Sequence, residues 1–264
     1  QTPGAFLRHA AAQAPKPMPN PLPPAPEGSL QLQALFPLAV GMVQLPLDPL
    51  DVAVQMQAIR ELQGLAVSNP DPGCAWTGDL HGVGKLHRHP SFAPLIQTIS
   101  GHAGAYLEGL GFERSRVALH IQRCWPVVSE VGQVVGRHHH PNAHLSAVVY
   151  LNGDGSGRSG CLRFFPPRQA NELVPGLAVG HDGPIRPDAA GTAQWNAPWF
   201  DVAPRAVLLV LFPASVDHAV LENEDPDDSR FSISLDLVLT APHGADDAAA
   251  EYLAPHPQSW LEVG

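Results

Sequence analysis

The clearest periodic stretch lies at residues 91–110. Phe92, Leu95, Ile96, Ile99, Ala103, Tyr106, Leu107 and Leu110 recur at three- and four-residue steps, the apolar stripe of an amphipathic helix. Ser91 is the expected N-cap of that helix. An earlier helix is expected to open at Asp48-Pro49, a capping residue followed by a proline in the first turn. It should run to about Leu65, before the breaker Asn69-Pro70-Asp71-Pro72-Gly73. Apolar runs in 31–46 read as one or two early strands. Both helices look like buttresses for a sheet rather than carriers of chemistry.

From about Val117 the period changes to two. Val117–Trp125, Val131–His140, Leu145–Leu151, Cys161–Phe165, Val207–Phe212, Ala219–Glu222 and Arg230–Leu239 read as strands. Turn signals separate them, among them residues 152–157 (NGDGSG) and 225–228 (DPDD). No long helical pattern interrupts this half, which predicts a mainly β fold: an antiparallel sandwich or barrel supported by N-terminal helices. Residues 166–203 are long and irregular, and Trp195, Trp199 and Phe200 within them make a candidate lid or substrate wall, with an ordinary surface excursion as the alternative. Three segments are expected: a proline-rich extended stretch over 1–29, a β domain with helical support over 30–242, and a tail over 243–264.

Composition narrows the function. Apolar residues make up 44% of the 264-residue chain, enough for a sizeable core, while 29 Pro and 24 Gly suit a turn-rich β protein. A net charge of −10, with 15 Lys and Arg and no run of them, argues against a nucleic-acid partner. No apolar run reaches the length of a membrane span, and no secretory pattern opens the sequence, so no membrane partner is expected. Cys74, Cys124 and Cys161 are odd in number and form no C-x-x-C pair. That pattern disfavours a disulfide framework or a structural zinc site and makes a reducing cytoplasm the default.

Histidine is the outlier. His138 and His140 stand two apart, so on a strand their rings share a face while His139 points away. His218 follows far downstream, after an apolar strand and the turn Pro213-Ala214-Ser215. Two ligands on one strand and a third returned by a distant one suit a facial metal site with open positions. H-x-H alone is a weak signal and is also found on ordinary polar strand faces. Twelve residues beyond His218 comes a strand that alternates cleanly. Arg230, Ser232, Ser234 and Asp236 form its polar face, and Phe231, Ile233, Leu235, Leu237 and Leu239 its apolar one. An arginine buried on such a face requires an anion. The alternative is a strand-end arginine paired with Asp227 or Asp228.

Four stretches in this order carry a family resemblance: His138–Asn152 (HHHPNAHLSAVVYLN), Gly160–Pro166 (GCLRFFP), Leu211–His218 (LFPASVDH) and Arg230–Ser234 (RFSIS). Together they resemble the iron(II)/2-oxoglutarate-dependent oxygenases, in particular a bacterial and phage subgroup whose core resembles prolyl hydroxylases. A looser match spans Trp76 to Leu95. The resemblance implies a double-stranded β-helix of the jelly-roll or cupin-like kind. It implies Fe(II), 2-oxoglutarate as cosubstrate and O2, with 2-oxoglutarate converted to succinate and CO2 as substrate is hydroxylated. Position by position, His138 matches the first metal histidine and His218 the distal one. Arg230 and Ser232 match the pair that grips the far carboxylate of 2-oxoglutarate. Tyr150 matches a tyrosine that helps hold it, though a core tyrosine is the competing reading.

The chain departs from the usual H-x-D or H-x-E by placing His140 where the carboxylate belongs. Three neutral imidazoles leave the metal one unit more positive, so compensation must come from cosubstrate, substrate or a nearby acid. Glu130, Asp217 and Glu222 are the candidate acids. Alternatively, His140 does not ligate. Gly132 through His140 and Pro213 through His218 also resemble the opening and closing motifs of cupins, whose thiol dioxygenases use three histidines. The Arg-x-Ser spacing favours the 2-oxoglutarate oxygenase, acting on a peptide, an amino acid or another small metabolite. A cupin-type three-His dioxygenase and a non-catalytic metal-holding module stay open.

Overall fold

A computed structural model describes residues 38–66, 71–166, 199–245 and 253–263, together with 28, 69 and 197. From Ala39 onward they form one compact unit. The expected proline-rich stretch and most of the irregular segment, Trp195 included, lie outside the described residues.

The strands run in chain order as β1 (Gly41–Gln44), β2 (Trp76–Thr77), β3 (Ala118–Ser129), β4 (Val135–His138), β5 (Leu145–Tyr150), β6 (Leu162–Phe164), β7 (Phe200–Val202), β8 (Leu208–Pro213), β9 (His218–Val220) and β10 (Arg230–Thr240). They form a six-stranded sheet, ordered β1-β8-β5-β10-β3-β2, and a four-stranded one, ordered β4-β9-β6-β7. Every strand pairing within them is antiparallel. This two-sheet arrangement is the double-stranded β-helix expected from the resemblance.

Alternation along the strands of the larger sheet sorts side chains to its two faces. Leu145, Ala147, Val149, Leu209, Leu211, Ile233 and Leu235 pack outward against Val52, Ile59, Leu95, Ile99 and Ala103 of two helices. These helices are α1 (Pro49–Leu65) and α2 (Ala93–Gly109). Truncating one such residue, for instance Ile99→Ala, would cost about 2–5 kcal/mol. The opposite face, with Tyr150, Val210 and Phe212, meets Leu162 and Phe164 of the smaller sheet. The space between the sheets is the barrel interior.

Asp48 caps α1 as expected, accepting a hydrogen bond from the Leu50 N–H at 2.8 Å. Ser91 does not cap α2. The chain first makes a short 3-10 turn, Pro90–Phe92, in which His89 is the cap and its Nδ1 accepts from the Ser91 N–H. Proline at 90 presets that tighter entry, so the helix proper opens at Ala93, one residue later than the serine suggested. All three cysteines are free. Among the described residues no helix is long and apolar enough to cross a membrane.

Candidate active site

The cavity between the sheets encloses about 470 Å³, a size typical of small-molecule pockets. His138, His140, His218, Arg230, Ser232 and Tyr150 all line it. The six residues singled out as metal ligands and as holders of the cosubstrate therefore share one cavity.

His138 ends β4 and His218 opens β9, and the two are direct partners in the β4–β9 ladder. The antiparallel register brings their rings to a centroid separation of 4.3 Å. His140 lies just past β4, tied down by its own N–H, which donates to the Ala214 carbonyl at 2.9 Å. Its ring stands 5.1 Å from that of His138 and 5.2 Å from that of His218. One ring nitrogen from each histidine falls within 4.8 Å of the others.

The other ring nitrogens show which atoms are free. Nδ1 of His138 lies 2.7 Å from the Gly136 carbonyl, and Nδ1 of His218 lies 2.8 Å from that of Val216. A carbonyl only accepts, so each Nδ1 carries the proton and each Nε2 presents a lone pair. Nδ1 of His140 stands 2.7 Å from Asp236 Oδ1, a close approach although not a well-aligned one. All three rings thus offer Nε2 to a common point, as a metal requires. Burial pushes the His218 ring down to about 4 and lowers His138 as well, so both are neutral at neutral pH and fit to ligate. The expected opposite orientation of His139 is also seen: it is half exposed and turned to Asp217.

Arg230 opens β10 and is 1% exposed. Its Nη1 donates to the Ser159 and Gly160 carbonyls at 2.7 and 2.9 Å, while Nε has no partner. Among the described residues no carboxylate pairs with it, so the alternative pairing with Asp227 or Asp228 is not seen. Burial lowers its pKa, the mark of a cation removed from water without a counter-ion. Tyr150, equally buried, has an unpartnered hydroxyl whose pKa burial pushes up to about 12. Buried, unpaired polar groups on a cavity wall are costly unless something fills the cavity and bonds to them. Gly160 makes room for this arrangement. At φ +89°, an added Cβ would strike the Leu221 carbonyl and come within 2.8 Å of Arg230 Nη1.

The outer acid lies elsewhere than expected. Asp217 pairs with Arg137 at the cavity rim, Glu130 pairs with Arg60, and Glu222 is exposed. The acid beside the histidines is Asp236, fully buried, with Oδ2 held by Arg123 Nε at 3.0 Å and Nη2 at 2.6 Å. Burial alone would raise its pKa, but His140 and then Arg123 outweigh that and hold it below the ordinary carboxylate range. The alternation of β10 had placed Asp236 on the polar face with Arg230 and Ser232. That pattern was the signal for it, and proximity in sequence to the histidines was a misleading one.

Of the proposed lid residues, Trp199 lies beneath the Arg163 guanidinium, 4.2 Å from its ring centroid, and Phe200 pairs with Phe164 in the β6–β7 ladder.

Known proteins are similar to this chain in sequence pattern and in fold. Residues 123–236 match the family model described as "Putative 2OG-Fe(II) oxygenase". No curated protein matches the chain. Among solved structures, a prolyl-4-hydroxylase from Pseudomonas putida is 16% identical, with a TM-score of 0.50 over 76% of this chain and 92% of that one. EvdO2 from Micromonospora carbonacea var. aurantiaca, complexed with 2-oxoglutarate, is 15% identical, with a TM-score of 0.47 over 86% and 93%. HygX from Streptomyces hygroscopicus, with nickel and 2-oxoglutarate bound, is 11% identical, with a TM-score of 0.48 over 83% and 92%. The matched segment, which is under half of the chain, holds all three histidines, Tyr150, Arg230 and Ser232.

Proposed function

We propose that the protein is an Fe(II)- and 2-oxoglutarate-dependent dioxygenase that hydroxylates a peptide, an amino acid or another small metabolite. One observation carries the reading: a fully buried arginine with no carboxylate partner among the described residues shares a cavity with three histidines, each of which brings a ring nitrogen within 4.8 Å of the others. The first needs a carboxylate and the second a metal, and 2-oxoglutarate is a molecule that meets both.

His138, His140 and His218 would hold the iron, leaving coordination positions for cosubstrate and oxygen. Arg230 and Ser232 would take the far carboxylate, with the Tyr150 hydroxyl as a further donor. When bound, iron and 2-oxoglutarate supply the oxidising chemistry, and the protein supplies orientation and exclusion of water. Arg230 does the orienting through a fork aimed from a strand whose other face is locked in the core. Val148, Leu162, Phe212 and Val220 make the apolar wall that keeps water out of the inner cavity.

The cupin-type three-His dioxygenase is the second reading, and the histidine at position 140 favours it. It assigns no role to Arg230, whose unpaired burial favours the first. The metal-holding module is a third outcome of the same experiment. Protein loaded anaerobically with Fe(II) is given 2-oxoglutarate and a panel of peptides and small metabolites, and succinate and oxygen uptake are followed. Succinate in step with oxygen uptake is expected. Oxygen uptake with substrate but independent of 2-oxoglutarate points to the cupin-type reading, and retention of zinc or nickel with an iron form inert to oxygen points to the module.

A further inference from the structure

We infer that Asp236 is the positioning residue of the metal centre: its carboxylate holds His140 in the ligating tautomer and supplies, one contact away from the metal, the negative charge that the usual carboxylate ligand would supply directly. This rests on the reading of His140 as a ligand.

The three histidines are not held alike. His138 and His218 each turn Nδ1 to a main-chain carbonyl two residues back, Gly136 and Val216. Such local contacts fix the tautomer but carry no net charge. His140 has no carbonyl in that role. Its Nδ1 faces Asp236 Oδ1 at 2.7 Å, and the side chains are 9% and 0% exposed. Water therefore does not compete for either group. An imidazole N–H facing a carboxylate is more polarised than one facing a neutral carbonyl, which makes its Nε2 a stronger donor to a metal.

A plainer account would make Asp236 the cross-strand partner of Arg123 and nothing more. The two do face each other across β3 and β10. But Arg123 uses only Oδ2, through Nε and Nη2. The other oxygen is left for His140, and a fully buried carboxylate oxygen without a donor would be costly. The ladder also slips by one residue beside this pair: Asp236 stands opposite Arg123, whereas Leu237 stands opposite Ile121. The extra residue on β3 is Gln122, and a bulge of this kind re-aims side chains next to a site. Trp125 completes the clamp. Its ring stacks on that of His140 at 5.7 Å and 24°, and the Arg123 guanidinium lies over its ring at 5.0 Å. Ligand, acid, arginine and tryptophan thus close on one another, with Arg123 reaching on toward Asp79 at 3.5 Å and the cavity.

One strand face therefore carries both halves of the site. Arg230 and Ser232 stand at the cosubstrate end of β10, and Asp236 stands six residues on at the metal end. The register that places the arginine also places the acid.

The test uses the full chain loaded with Co(II), whose paramagnetism shifts the proton resonances of ligating histidines. Wild-type protein should show three shifted, solvent-exchangeable N–H resonances, one for each Nδ1. Asp236→Asn preserves volume and removes charge. It should move one of the three, leave the other two in place, and weaken Co(II) binding by about 10–100-fold. Arg123→Lys, at a partly exposed position, loosens the acid from outside the core and should move the same resonance. It carries the test if the asparagine variant does not fold. Two resonances in the wild type would mean that His140 is not a ligand, and would fail the metal assignment itself. Three resonances that stay put in the folded variants, with unchanged Co(II) affinity, would leave the metal assignment standing and overturn the role of Asp236.

Discussion

His138 and His218 are direct partners across two antiparallel strands of the smaller sheet, although far apart in the sequence. The metal geometry is therefore a property of sheet register, since a slip of one residue would turn one ring to the opposite face. His218→Ala should weaken Co(II) or Fe(II) binding by about 100-fold or more, beyond the ~10–100-fold typical of losing an outer partner. Anaerobic metal titration checks this, with circular dichroism to show that the β signal is retained.

Arg230→Met replaces a buried cation with an apolar side chain of similar length. Metal affinity should be unchanged, while 2-oxoglutarate affinity falls by about two to three orders of magnitude. That matches the ~2–5 kcal/mol lost when one side of a buried, hydrogen-bonded charge pair is removed. Calorimetric titration of the Mn(II)-loaded variant separates the two effects.

Tyr150→Phe should divide stability from binding. The hydroxyl is buried and unpartnered in the ligand-free chain, so removing it should leave the thermal midpoint equal or slightly higher. If that hydroxyl donates to the cosubstrate carboxylate, its loss should weaken 2-oxoglutarate binding by about tenfold or more, from ~1.5–3 kcal/mol for a bond to a charged group. Melting curves with and without 2-oxoglutarate give both quantities.

The metal-free protein should lose stability as pH falls from about 6.5 to about 4. His218 titrates near 4 when folded, because burial disfavours its charged form, and near 6.5 when unfolded. Between those values the unfolded chain binds more protons, so stability rises with pH across the window and is full above it. This single group contributes about 3 kcal/mol over the window. Urea unfolding at a series of pH values measures it, and bound metal, which keeps the proton off the folded-state ring, should preserve the slope and carry it below pH 4.

Much of this site was legible because strands have a period of two. The alternation from Arg230 to Leu239 separates a polar interior from an apolar exterior, as observed, and the rings of H-x-H share the cavity although His140 lies just past the end of β4. The entry into α2 was misread because a serine looks like a cap, whereas Pro90 and His89 set the turn before it. β2 and β7 are two and three residues long, too short for any periodicity to show. The candidate acids Glu130, Asp217 and Glu222 lie near His138 or His218 in sequence, but not beside the ligand cluster in the fold. A β-ladder brings together residues from remote strands, and Asp236 reaches His140 only through the barrel's closure.

Whether one cavity binds a metal through three histidines and 2-oxoglutarate through Arg230 can be read from a single titration. The most direct measurement is an anaerobic titration of the Fe(II)-loaded protein with 2-oxoglutarate, followed by visible absorption. A metal-to-ligand charge-transfer band should grow to saturation, require iron, and fail to form in Arg230→Met at the same concentrations. A folded, iron-loaded protein that shows neither the band nor any heat of binding with 2-oxoglutarate at millimolar concentration would contradict the shared site.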